Sequence, residues 1–293
     1  MNKIILLSIF SFFVITACEN KDNKSDAYGN FEATEVIVSA QANGQIIQFT
    51  PEEGIELAFN ETVGLIDTVV LQLNKKLMEQ QKITIASQYN NLISEIDVLK
   101  QQLTNAKINQ DRILNLFSAG AATQKQVDDI VGVIDLIKKQ ISAANTKRNN
   151  ISDQIDGVNV QIEQVNEALS KCHIRNPQKG TVLVKYTETG EVTGIGRPLY
   201  KIADLSEMKL KAYISGAQLP NVKLGQKVEV LFDKSEKENT SVTGTVSWIS
   251  QTAEFTPKTI QTKQERVNLV YAIKVAVKNN GAIKIGMPGE VNF

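Results

Sequence analysis

The residues best suited to covalent chemistry are the neighbours Cys172 and His173, and His173 is the only histidine of the chain. A thiol beside an imidazole is the arrangement used by cysteine nucleophiles. The two side chains are consecutive at a predicted helix-to-strand transition, however, so they diverge instead of facing each other. The sequence also contains no HExxH, CxxC or GxSxG motif and no P-loop. It therefore predicts a non-enzymatic protein with no metal and no cofactor.

Three closely spaced glycines and the single tryptophan are the remaining candidates for a ligand site. Gly190, Gly194 and Gly196 are spaced like a phosphate-binding loop, but no helical pattern follows them to supply the amide groups that hold a phosphate. We expect hairpin turns there. Trp248 lies in an alternating strand, and we expect it in the core of a barrel rather than on a ligand surface.

Cys18 indicates the compartment of the protein. Lys3 and the apolar run from Ile4 to Ile15 form a secretory signal that is too short to cross a bilayer as a permanent helix. The sequence Thr16-Ala17-Cys18 resembles the lipobox of bacterial lipoproteins, which implies that Cys18 is acylated and becomes the mature N-terminus. The polar residues 19–30 then predict a flexible tether. With Cys18 acylated, Cys172 is the only thiol left and no intrachain disulfide is expected.

The charge balance excludes a general affinity for nucleic acid. The chain has 32 Lys and Arg residues against 32 Asp and Glu residues, and its sequence pI is about 6.7. A protein without a net basic field lacks the electrostatic attraction on which nucleic-acid binding depends. We therefore expect protein and membrane partners instead.

The middle of the chain contains two long heptad repeats. In the first, apolar residues follow each other in steps of four and three from Ile85 to Phe117, interrupted only by Gln110. In the second, the repeat runs from Val127 to Leu169 through six heptads. A sustained period of 3.5 predicts a coiled coil, and the Ser118-Ala119-Gly120-Ala121-Ala122 connection predicts that the two helices fold into an antiparallel hairpin.

Short β segments flank this hairpin on both sides. A strand pattern after Gly44 is repeated after Gly180, and the turn at Gly54 is repeated at Gly190. This weak duplication predicts one β domain whose two halves are separated by the hairpin. After Met208 the alternation of apolar and polar residues returns in five or six segments, which predicts a small antiparallel barrel.

Two sequence segments give this arrangement a family likeness. Residues 175–182 (RNPQKGTV) resemble the R-A-P-x-D-G-x-V segment of the HlyD-type membrane-fusion, or periplasmic adaptor, family, from which the Asn and the Gln-Lys pair depart. Residues 198–205 (PLYKIADL) resemble its P-L-x-x-I-x-D-L segment. The resemblance implies an α+β fold: a split biotinyl-lipoyl-like β-sandwich with an inserted antiparallel coiled-coil hairpin, followed by a small antiparallel β-barrel.

The resemblance also implies domain boundaries. We expect the signal with its lipobox cysteine at residues 1–18, the tether at 19–30, the lipoyl-like halves at 31–70 and 171–205, the hairpin at 71–170 and the barrel at 206–293. True lipoyl carriers place a modified lysine between the two half-motifs. The corresponding segment here, residues 65–70 (LIDTVV), has no lysine. A cofactor-carrying swinging arm is therefore not expected, and the β domain is a scaffold.

The resemblance places one candidate site at the tip of the hairpin. Arg112, Leu116 and Thr123 have the spacing R-x₃-L-x₆-[S/T], which is similar to the motif by which adaptors engage an outer-membrane TolC-like duct. The usual last residue of that motif is Ser, so Thr123 departs from it by a methyl group. Arg112 and Leu116 lie one helical turn apart on one face, and Thr123 can cap the returning helix. A solvated helix face with a simple cap is the alternative interpretation.

The implied function is that of a periplasmic adaptor that links an inner-membrane exporter to a TolC-like outer-membrane channel. Residues 253–271 resemble a stretch typical of adaptors of ABC-type exporters, so an ABC-type transporter is the expected partner. The family further implies a homo-oligomeric ring, held to the inner membrane in the periplasm through Cys18. The alternatives are an adaptor of an RND-type multidrug pump and a coiled-coil lipoprotein without a transport function.

Overall fold

The computed structural model describes residues 25–235, 238–255 and 269–293. Cys18 and most of the 253–271 stretch lie outside these ranges. The described residues divide into two compact units, one of residues 37–201 and one that combines residues 25–36 with the described part of residues 202–293. Within the described ranges, no helix combines the length and the apolar composition that crossing a membrane requires.

Fifteen strands and two long helices make up the described part of the chain. In order they are β1 (Ala27–Glu32), β2 (Glu35–Ser39), β3 (Gly44–Phe49), β4 (Glu56–Leu57), β5 (Thr62–Ile66), α1 (Val69–Ser118), α2 (Gln124–Cys172), β6 (His173–Arg175), β7 (Gly180–Lys185), β8 (Val192–Thr193), β9 (Pro198–Ala203), β10 (Glu207–Ser215), β11 (Lys227–Ser235), β12 (Glu238–Ile249), β13 (Glu254–Phe255), β14 (Leu269–Lys278) and β15 (Pro288–Asn292). A short 3₁₀ turn at Leu219–Asn221 follows β10.

Two four-stranded sheets form the split β domain, and each contains strands from both sides of the hairpin. One sheet has the strand order β2-β9-β7-β4 and the other has β6-β5-β3-β8. The strands β2, β3, β4 and β5 of the first half correspond to β6, β7, β8 and β9 of the second. Replacing each strand by its counterpart converts one sheet order into the other. The duplication predicted from the glycine-led strands therefore extends to the topology. Neither half can complete a sheet without the other.

A buried asparagine joins the two halves. Asn176 is fully buried, and its side-chain amide donates to the carbonyl oxygens of Ala58, at 2.8 Å, and Gln178. Its side-chain oxygen accepts a hydrogen bond from the hydroxyl of Tyr200 at 3.1 Å, and Tyr200 is also fully buried. Burial raises the pKa of the Tyr200 hydroxyl, so it stays protonated and remains a donor. Asn176, one of the departures from the family pattern, is therefore a structural link across the insertion.

The two long helices pack against each other along the predicted seam. Leu92 and Ile96 of α1 are buried together with Ala144 and Ile151 of α2. On α2 the buried series continues through the heptads to Cys172, the last residue of the helix. The seam ends before its last predicted member, because Phe117 is 40% exposed.

The barrel closes through six strands in the order β10, β1, β15, β11, β12 and β14, with β14 pairing back to β10. Its core includes Phe31 and Phe232, whose rings meet edge to face with centroids 6.3 Å apart. Other fully buried core residues are Met208, Leu210, Ile214, Val230, Ile273, Val275 and Val291. The predicted fold class, a split β domain with an inserted helical hairpin and a small barrel, is confirmed.

Three predictions about the barrel are wrong. Residues 27–30 do not belong to the predicted tether, and residues 31–32 do not belong to the predicted lipoyl-like half, because β1 pairs with β10 and β15 and buries Ala27 and Phe31 in the barrel core. Trp248 is not in the core but 42% exposed, with the ammonium of Lys274 5.8 Å from its ring centroid. A bulge in β12 between Val246 and Trp248 reverses the inward and outward alternation there.

The Asn176 network gives a stability prediction. Replacing Asn176→Ala leaves the buried hydroxyl of Tyr200 and the carbonyl of Ala58 without their partner, which costs about 2–4 kcal/mol. Tyr200→Phe removes one donor and costs about 1 kcal/mol. Hydrogen exchange of the β3 and β9 amides measures the opening free energy of this domain. The exposed Asn91→Ala on α1 is the matched control and leaves it unchanged. Equal protection in Asn176→Ala and the unmodified chain would refute the structural role.

Candidate docking site at the hairpin tip

The tip of the hairpin is a tight turn held by backbone hydrogen bonds. Gly120 has a φ of +73°, the left-handed conformation that glycine adopts without strain. Its N–H donates to the carbonyl of Phe117 at 3.0 Å, and the N–H of Ala121 donates to that of Leu116 at 2.8 Å. These two bonds form a Schellman motif that ends α1. The backbone at the tip is therefore held in one conformation.

Thr123 begins the returning helix as its N-cap. Its hydroxyl accepts a hydrogen bond from the Gln126 N–H, and the Gln126 side chain accepts one from the Thr123 N–H at 2.8 Å. The Thr123 hydroxyl also lies 3.2 Å from the same Gln126 side-chain oxygen. This reciprocal capping box engages the hydroxyl within the turn. The capping role considered from the sequence is present in the structure.

Arg112 and Leu116 remain available at the end of α1. Both are exposed, and Leu116 has 45% of its surface accessible. No hydrogen bond or ion pair links Arg112 to any residue in the part of the chain that the structure describes. An exposed guanidinium with five donors can bind carbonyl or carboxylate groups of a partner in a bidentate manner. An adjacent leucine adds a small apolar anchor.

Three further apolar residues, Leu114, Val131 and Val133, lie near the tip together with Leu116, and the seam analysis of the sequence missed them. Leu114, Leu116, Val131 and Val133 are between 40% and 46% exposed. They occupy the positions immediately beside the heptad seam, which are usually polar in a two-stranded coiled coil. The heptad assignment of the sequence could have identified these residues, because it places apolar side chains at positions e and g, outside the a and d positions of the seam.

The other candidate residues do not form a site. Cys172 is fully buried in the seam, and its thiol lies 3.4 Å from the carbonyl oxygen of Ala168. Burial and the nearby Asp67 carboxylate raise the pKa of this thiol, so it is a poor nucleophile. His173 is exposed and begins β6. The structure thus keeps the two side chains in different environments, as the change from helix to strand predicts.

The predicted glycine turns and the segment without a lysine do not form a ligand site either. Gly190 and Gly196 have φ values of +95° and +84°, which are conformations of tight turns. The segment that would carry a lipoyl-type lysine runs directly from β5 into α1, and the Asp67 carboxylate accepts a hydrogen bond from the Val69 N–H at 2.8 Å. Within the described ranges, His, Cys, Asp and Glu residues form no cluster suited to a metal ion.

Comparison with known proteins supports this architecture. Residues 204–293 match the family model of the LcnD-like C-terminal domain. A UPF0194 membrane protein of Acidithiobacillus ferridurans is 22% identical over 99% of this chain and 93% of its own length. A UPF0194 membrane protein of Citrobacter koseri is 22% identical over 93% of this chain and 89% of its own length.

A solved structure has the same fold. The crystal structure of MacA from Actinobacillus actinomycetemcomitans aligns with a TM-score of 0.67 at 20% identity, covering 90% of this chain and 76% of that one. The likeness includes the β-rich domains and the two long helices described above. The chain therefore has an LcnD-like C-terminal domain and shares its fold with MacA.

Proposed function

We propose that this protein is a non-enzymatic periplasmic adaptor that couples an inner-membrane ABC-type exporter to a TolC-like outer-membrane duct. The observation that carries the proposal is the hairpin with its unpaired Arg112 at the far end. Helices of 50 and 49 residues make a rod of about 75 Å. A rod of this length, fixed in a β domain at one end and ordered at the other, is suited to reaching between membranes.

The tip favours docking against another helical structure. The Schellman motif and the capping box hold Arg112 and Leu116 in a fixed relation to the turn, so little conformational entropy is lost when they bind. Because the Thr123 hydroxyl is engaged by Gln126, the contact relies on the guanidinium and the leucine. This also explains why Thr in place of Ser is compatible with docking, since either residue can cap the helix.

The proposal also specifies the class of the transporter and the membrane anchor. An ABC-type partner is supported by the likeness of residues 253–271 to adaptors of such exporters. The anchor is an acylated Cys18, which holds the adaptor at the inner membrane from the periplasmic side. Two or more acyl chains give stable attachment, whereas a single chain binds only marginally.

Charge reversal at the tip tests the docking role. We expect Arg112→Asp to weaken capture of the outer-membrane duct at least about tenfold, because a charge-assisted hydrogen bond is lost and a repulsive charge is added. The measurement is affinity capture of the full chain from solubilised envelopes, with the duct quantified by mass spectrometry. Lys107→Asp, an exposed reversal on the same helix, is the matched control and retains capture. Unchanged capture by Arg112→Asp would contradict the proposal.

The anchor is tested by substitution of each cysteine. We expect Cys18→Ser to abolish incorporation of radiolabelled palmitate and to leave the precursor unprocessed, because the acceptor thiol is absent. Cys172→Ser is the control and retains the label, since Cys172 is buried in the seam. Labelling of the Cys18→Ser chain would show that the protein is anchored in another way.

A further inference from the structure

The connection between β10 and β11 covers the barrel end from which the N-terminal segment emerges. These two strands lie on opposite sides of the six-stranded barrel, so residues 216–226 cross its end. The side chain of Gln218 donates to the carbonyl oxygen of Asp26 at 2.8 Å. Ser25 is buried beside it, and its hydroxyl donates to Glu290. The connection and residues 25 and 26 therefore belong to one surface, which we call the N-terminal end of the barrel.

Leu224 lies at the surface of this connection, in a tight turn. It is 69% exposed, whereas Val222 is buried in the barrel core. Gly225 follows with a φ of +82°, and its N–H donates to the carbonyl oxygen of Val246 at 2.8 Å. The Val246 N–H in turn donates to the carbonyl oxygen of Gln226 at 2.9 Å. The turn is thus tied to β12, and this keeps the leucine in contact with solvent.

Two lysines flank this leucine. Lys223 and Lys227 are exposed, and neither ammonium group forms an ion pair with another residue in the described ranges. In segments that lie on a membrane surface, an apolar side chain enters the headgroup layer while neighbouring lysines extend toward the phosphates. An anionic bilayer therefore complements both the apolar and the charged side chains of this turn.

The proposed lipid anchor brings this end of the barrel close to a bilayer. Cys18 and Ser25 are seven residues apart, so even a fully extended chain between them spans at most about 25 Å. The acyl chains of Cys18 would lie in the membrane, with the cysteine backbone at its surface. The N-terminal end of the barrel is then restricted to a thin layer above the lipid headgroups.

We propose that Lys223, Leu224 and Lys227 form a membrane-binding turn, which inserts into the headgroup layer of the anchoring bilayer and binds anionic phospholipid. The inference rests on the proposed function, because it requires Cys18 as the anchor. A second contact adds to the affinity given by the acyl chains. It also fixes the orientation of the barrel, since a barrel attached only through its tether can rotate freely above the membrane.

The opposite end of the barrel provides a matched control. Ile285 is 39% exposed there, with Lys284 before it and Gly286, whose φ is +81°, after it. The Gly286 N–H donates to the carbonyl oxygen of Phe31 at 2.8 Å, at the other end of β1 from Ser25. The two turns thus have similar chemistry and differ in their position relative to the anchor.

Fluorescence quenching by brominated lipid tests the insertion. Full-length acylated chains with Leu224→Cys or Ile285→Cys are labelled with bimane and reconstituted in vesicles of phosphatidylcholine and phosphatidylglycerol, with or without bromine on the acyl chains. We expect brominated lipid to lower the fluorescence at the Leu224 site at least about twofold and to leave the Ile285 site unchanged, because only the first reaches the acyl boundary. The native Cys172 is buried and does not compete for the label.

The role of charge is tested with the same labelled chain. Vesicles without phosphatidylglycerol, or Lys223→Gln combined with Lys227→Gln, should reduce the quenching at least about twofold, because the ammonium groups lose their anionic partners. Equal quenching without the anionic lipid would contradict the role of the lysines.

Two further outcomes would overturn the insertion itself. Equal quenching at the two labelled sites would mean that the contact is not specific to the N-terminal end. Absence of quenching at the Leu224 site would mean that lipid does not cover the leucine, and a protein partner would be its occupant. Palmitate labelling of Cys18 and duct capture by a Leu224→Asp chain are measured in parallel and remain unchanged. Loss of quenching while both persist overturns this inference and leaves the proposed function standing.

Discussion

The fold depends on strand pairing between the two halves of the β domain. Each four-stranded sheet takes strands from before and after the hairpin, so neither half can satisfy its backbone hydrogen bonds alone. Closure of the sheets brings the end of β5 and the start of β6 together, where they pair directly. The start of α1 and the end of α2 are therefore held side by side. The antiparallel arrangement of a rod of about 75 Å follows from this constraint as much as from its seam.

Polar contacts as well as apolar packing join the two halves of the β domain. Asn176 bonds to Ala58 from the first half and to Tyr200 from the second, in a site without access to solvent. A buried amide with satisfied donors and acceptor specifies one arrangement, because a shifted pairing would leave those groups unpaired. The scaffold that carries the rod is therefore fixed in register by a residue that departs from the family pattern.

Much of the fold was predictable because its signals are periodic. The heptads fixed the helices and most of the seam, and the repeated glycine-led strands indicated the split domain. The sequence did not indicate β1, since its Gly29 and Asn30 look like turn residues and its partners, β10 and β15, are distant in sequence. The outward position of Trp248 depends on a bulge, which periodicity cannot reveal. At the tip, the spacing of Arg112 and Leu116 was visible, but the engagement of the Thr123 hydroxyl required the geometry of the turn.

The hairpin tip has an ordered backbone and exposed side chains that can bind a partner. Its backbone is held by the Schellman motif and the capping box, while apolar side chains and a guanidinium remain at the surface. We propose that this end of the rod contacts a duct in the outer membrane. The most direct measurement is photo-cross-linking in intact cells with benzoylphenylalanine in place of the exposed Ala121. We expect a cross-link to an outer-membrane duct protein, identified by mass spectrometry. Cross-links to inner-membrane proteins alone, with none to the outer membrane, would contradict it.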